Sequence, residues 1–121
     1  MQRTIKAEWL LIMICPPAGQ PEPAGILLLD RASNQLFFRL KGDLHTRDED
    51  IDMVWEQFAE ELDLRASEEG AAGVVAWLET TFSNVFRGSD LHTLLTPNAS
   101  EALASLYEDH VEKPTVTGHS A

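Results

Sequence analysis

Three aspartates at alternate positions, Asp48, Asp50 and Asp52, come nearest in type and spacing to a known chemistry, the opening of a calcium-binding loop. Such a loop needs Gly at its sixth position for a sharp turn and a bidentate Glu at its twelfth, where Met53 and Ala59 stand. His45 beside Asp43 offers two metal-ligating types, yet a site needs three or four converging donors, and His92, His110 and His119 are scattered. Neither a metal nor a cofactor is expected. Ser83 and Cys15 are the nucleophiles by residue type, and neither lies in a nucleophile elbow or a Cys-His signature. Glu60-Glu61 reads as a pair of surface carboxylates, because acid–base work requires burial that their neighbours do not predict. Gly70 and Gly73 lie among Ala and Glu without a following Lys, so they form no phosphate-cradling loop.

The chain that must position these residues has 121 of them, one domain's worth, with 44% apolar side chains, enough for a real core. The expected layout is a single domain over residues 1–113 and a flexible tail over 114–121. A net charge of −11 opposes sequence-independent phosphate binding, which needs clustered Lys and Arg, so nucleic acid is not an expected partner. A single cysteine cannot form an internal disulfide and points to a reducing, cytoplasmic compartment. Arg3 and Lys6 before the apolar run Trp9 to Cys15 imitate a short signal peptide. The run has only seven residues, far below the roughly 20 of a membrane span, with Glu8 at its mouth and Ile14 before the cysteine. It reads as a buried strand, and no membrane association is expected.

That strand covers residues 5–15 and lacks clean alternation, as expected of a strand central in a sheet or covered on both faces. Four prolines between Pro16 and Pro23 interrupt it with a loop. Gly25 to Asp30 and Gln35 to Lys41 form a hairpin around Arg31-Ala32-Ser33-Asn34. Leu36, Phe38 and Leu40 alternate with Phe37, Arg39 and Lys41, so one face of the third strand goes to core under a helix.

Thr46 with Glu49 makes a capping box, and Asp48, Glu49, Asp50 and Asp52 crowd the first turns, where the helix dipole favours negative charge. Ile51, Val54, Trp55, Phe58 and Leu62 then repeat as an amphipathic stripe. Ser67 is placed to cap a second helix with stripe Val74, Val75, Leu78 and Phe82, ending near Ser83-Asn84. Asn98 with Glu101 opens a third, through Ala102, Leu103, Leu106, Tyr107 and His110. The expected architecture is α+β: a small antiparallel sheet of three or more strands, packed on one side by about three helices.

The charge is segregated. Residues 1–42 carry net +2, residues 43–69 net −9 and residues 70–121 net −4. The simplest account is a solvated helix face, and the sharper one a docking face for a basic protein, made of Asp48, Asp50, Asp52, Glu56, Glu60 and Asp63.

Glu79-Thr80-Thr81-Phe82-Ser83-Asn84-Val85, followed by an acidic, Leu-rich helix ending in Leu106-Tyr107, resembles the C-terminal part of a bacterial family catalogued as domain of unknown function 3037. The N-terminal layout is similar too, with Glu8 to Ile14, a Pro-bearing loop and Gly25-Ile26-Leu27-Leu28-Leu29, so the resemblance spans about residues 5–110. The family's motif before Gly25 usually carries an Asn, and this chain has Glu22-Pro23-Ala24-Gly25-Ile26 instead. The resemblance implies an α+β architecture and no known reaction. It draws attention to Phe82, Ser83 and Asn84; from the residues alone, Phe82 is core while Ser83 and Asn84 terminate a helix.

The reading is therefore a non-enzymatic interaction or regulatory domain that offers its acidic helix face to a basic protein. An inhibitor whose carboxylates mimic nucleic acid is a special case. The alternative is a small hydrolytic or metal-assisted enzyme with a site near His45 and Ser83-Asn84. The exposed edge of the hairpin also leaves homo-oligomerisation open.

Overall fold

The computed structural model describes residues 4–16, 20–42, 49–82 and 86–112. Thr46, the first half of the expected capping box, and the tail over 114–121 lie outside them. The strand expected at the N-terminus is β1 (Ile5–Ile14), and the hairpin is β2 (Glu22–Asp30) with β3 (Gln35–Leu40). β2 begins at Glu22, earlier than the prolines suggest. Pro23 is tolerated because it sits at a register shift, with Ile12 opposite Gly25 but Met13 opposite Pro23, so Ala24 is one residue too many in the ladder.

Two short strands that the sequence pattern did not reveal, β4 (Phe86–Gly88) and β5 (His92–Thr96), both pair antiparallel with the remaining edge of β1. They act as one bulged strand. Ile12 faces Gly88 and Trp9 faces His92, so three residues, Ser89 to Leu91, oppose only Leu10 and Leu11. Ser89 repairs the ladder there: its N–H donates to Leu11 O at 2.9 Å, and its hydroxyl oxygen accepts from Leu11 N at 2.9 Å. The sheet order is β3-β2-β1-β4, with β5 also on β1.

Helices cover both faces of this sheet rather than one. On one side Leu10, Ile12, Ile14 and Leu27 pack against Ile51, Trp55, Phe58, Leu62, Val74 and Leu78 of α1 (Glu49–Thr81), with Leu36, Phe38 and Leu40 of β3 at the margin. On the other side Ile26, with Trp9 and Leu11, packs against Leu103, Leu106, Tyr107 and Val111 of α2 (Ala99–Tyr107) and the π-helical turn that continues it to Glu112. Burial on both faces explains why β2 reads as an apolar run without alternation. Asn98 caps α2 as the sequence predicts, its side-chain oxygen accepting from Glu101 N at 3.1 Å.

The described residues hold two helices rather than about three, because the expected first and second run on as α1, broken only at Gly70 (φ 74°, ψ −164°). Ser67 caps nothing; its hydroxyl donates to Leu64 O at 3.0 Å inside the helix. The break is made by a distant residue. Asn34, itself at φ 55° in the hairpin turn, donates from Nδ2 to Glu69 O (3.2 Å) and accepts Ala72 N on Oδ1 (3.0 Å) and Ala71 N on its carbonyl (3.3 Å). Those bonds satisfy backbone groups that a broken helix would otherwise leave open. Glycine is required at position 70 twice over, for the positive φ and because a Cβ would collide with Asn34. The two segments fold back on each other: the rings of Phe58 and Trp77 are 5.2 Å apart, whereas nineteen residues of straight helix would span roughly 28 Å.

Candidate functional site

Ile51, Trp55, Phe58 and Leu62 turn inward, spaced 4, 3 and 4, which fixes what the rest of the first segment of α1 presents to water. Asp52, Glu56, Glu60 and Asp63 repeat at 4, 4 and 3 and share one face; Glu56, Glu60 and Asp63 are exposed and Asp52 is half-buried. Asp50 is exposed in the first turn, where it and Glu49 complement the helix dipole. Asp50 and Asp52, two apart on a helix, diverge rather than converge, so they do not build a calcium loop. Among the described residues no ion pair takes up Glu56, Glu60 or Asp63. The one base of the segment, Arg65, is committed elsewhere: it donates to Glu61 at 2.7 Å and Glu69 at 3.2 Å and lies over the Trp77 ring at 5.2 Å. Two large apolar side chains, Met53 (57% exposed) and Leu64 (49%), stand on the outer surface of the same segment.

Val54, expected in the buried stripe, is 46% exposed. It lines a pocket of about 500 Å3 between the two segments of α1, walled by Ile51, Phe58, Trp77 and Phe86, with Asp50 and Glu61 also among its lining groups. The pocket exists because the helix folds back at Gly70, and nothing in the local sequence pattern announces it.

Phe82 is half-buried and packs against the main core, its ring so close to Gly88 that a Cβ there would meet it. Ser83, Asn84, His45 and Asp48 lie outside the described residues. Cys15 is half-buried just past the end of β1. Two histidines pack against one ring: the ring of Trp9 lies 4.6 Å from His92 and 5.0 Å from His110, joining β5, β1 and the π-helical turn. Beside them Arg39 lies 4.5 Å from the centroid of the Tyr107 ring. Sequence reasoning missed this cluster because its members come from separate elements. Among the described residues no group of three or more His, Cys, Asp or Glu side chains is arranged to hold a metal ion, and no helix is long and apolar enough to cross a membrane.

Comparison with protein-family models, with curated proteins and with solved structures finds no match for this chain.

Proposed function

We propose that this chain is a non-enzymatic interaction domain, accessory or regulatory in role, that docks a basic protein surface through the acidic face of α1. The observation that carries this reading is the stripe of Glu56, Glu60 and Asp63: exposed, on one helix face, and without an ion pair among the described residues. Their helix is held by a core of Trp55, Phe58 and Leu62, so the backbone positions that carry the carboxylates are fixed relative to one another. Such an array steers encounter and selects partner sign more than it adds raw affinity. Cytoplasmic location, no nucleic-acid partner and no cofactor belong to the same proposal. So does membership of the domain of unknown function 3037 family, which brings no reaction to compete with docking. The alternative, a hydrolytic or metal-assisted enzyme around His45 and Ser83-Asn84, rests on residues outside those described.

The test passes lysate of the source organism over the immobilised chain and over a Glu56→Gln, Glu60→Gln, Asp63→Asn variant, at low and high salt. A basic protein held by the wild type, released by salt and not held by the variant is the expected result. Equal retention on both columns, or retention that strengthens with salt, contradicts the proposal.

A further inference from the structure

The pocket between the two segments of α1 lies apart from the acidic stripe, since Glu56, Glu60 and Asp63 contribute nothing to its lining. The charges that do line it are answered from within the chain. Glu61 accepts from Arg65 at 2.7 Å and Asp50 makes an interaction of its own, so neither carboxylate is offered to a cation. Among the described residues no lysine, arginine or histidine lines the pocket, so nothing there draws an anion, which the two carboxylates repel. What is left for an occupant is apolar: Ile51 and Val54 with the rings of Phe58, Trp77 and Phe86. These rings brace one another. Phe58 stacks on Trp77 at 5.2 Å and is tilted against Phe86 at 6.0 Å, while Arg65 lies over Trp77. Walls ordered in advance reduce the entropy that binding would otherwise cost. One polar handle is open: the Thr81 hydroxyl donates to Trp77 O at 2.9 Å, whereas the exposed Gln57 amide makes no hydrogen bond among the described residues.

We propose that this pocket binds a small, neutral aromatic molecule, its ring packed among Phe58, Trp77 and Phe86 and its one polar group meeting the Gln57 amide. The volume of about 500 Å3 lies within the range of roughly 300–1,000 Å3 of small-molecule sites, which share the same composition of apolar walls with few polar groups. Aromatic rings favour offset stacking and edge contacts, so a flat ligand continues the Phe58–Trp77 stack. A charged molecule of the same shape would lose hydration there without gaining an ion partner. The site is independent of the docking reading, because ligand and partner meet different faces of the first segment of α1. A second copy of this chain is a poor occupant, because it would bring one acidic surface of a −11 chain against another.

The test titrates the intact chain, by calorimetry, with three probes that share a naphthalene ring: the neutral naphthyl methyl ketone, naphthoate and naphthylmethylammonium. The ketone should bind at least about tenfold more tightly than either ion, with a negative heat-capacity change and little dependence on salt. Filling the pocket by Val54→Trp, or independently by Gln57→Trp, should abolish ketone binding. Gln57→Leu should weaken the ketone about two- to tenfold and leave unsubstituted naphthalene unchanged. Glu56→Gln with Glu60→Gln and Asp63→Asn should leave the ketone's affinity as it is, which separates this site from the docking face. Three results overturn the assignment: no binding of the ketone, ketone binding that survives both pocket-filling variants, or tightest binding of the ammonium with loss in salt. Ketone affinity that falls as the chain concentration rises would put a second copy in the pocket and overturn it too.

Discussion

The two segments of α1 perform the same packing task with opposite surfaces. Residues 49–69 bury Ile51, Trp55, Phe58 and Leu62 and carry nine carboxylates with one base; residues 71–81 bury Ala71, Val74 and Leu78 and carry a single carboxylate, Glu79. The second segment covers its outer side with Ala72, Ala76 and Thr80. An amphipathic helix in this chain therefore does not require dense acidity to hold its place against the sheet. The charge of the first segment is a property added to packing rather than a by-product of it, and this contrast supports a docking role.

The comparison breaks most severely at the residue both segments share. Phe58→Ala removes a ring that stacks on Trp55 and on Trp77, and should cost about 3–5 kcal/mol in urea denaturation. Val74→Ala, confined to the second segment, should cost less, about 1–3 kcal/mol. Gly70→Ala attacks the junction: it forces a side chain into a left-handed backbone and against Asn34, and about 1–3 kcal/mol of destabilisation is expected. Asn34→Ala withdraws the side-chain bonds to Glu69 O and from Ala72 N and puts Ala at a left-handed position that Asn tolerates better, for about 1–2 kcal/mol. Glu56→Gln with Glu60→Gln and Asp63→Asn should change stability least, within about 0.5 kcal/mol, because these groups are exposed and make no ion pair among the described residues. Large destabilisation by that variant would make the acids structural and remove the contrast.

What was legible in the sequence was what local periodicity fixes. The alternation of Leu36, Phe38 and Leu40 placed the hairpin, the spacing of Ile51 to Leu62 placed the first segment of α1, and Asn98 with Glu101 placed the start of α2. The acidic stripe followed from the same spacing. Long-range pairing decided the rest. β4 and β5 are too short to show alternation and exist because β1 offers an edge, with Ser89 bridging the bulge between them. Ser67 has the composition of a helix cap, yet the break falls three residues later because Asn34, thirty-six positions earlier, supplies the hydrogen bonds there. The pocket and the Trp9–His92–His110 cluster depend on the same kind of distant contact.

The central claim concerns where the charge lies rather than how much there is. The direct measurement combines Glu56→Gln, Glu60→Gln and Asp63→Asn with Ala72→Glu, Ala76→Glu and Thr80→Glu, which restores the net charge of −11 on the second segment. Association rates with a labelled lysine-rich peptide are then compared at low salt for the wild type, the neutralised chain and the relocated chain. The located docking face predicts that relocation fails to restore the rate lost on neutralisation. Recovery of the wild-type rate in the relocated chain would show that net charge alone is read, and would contradict the account.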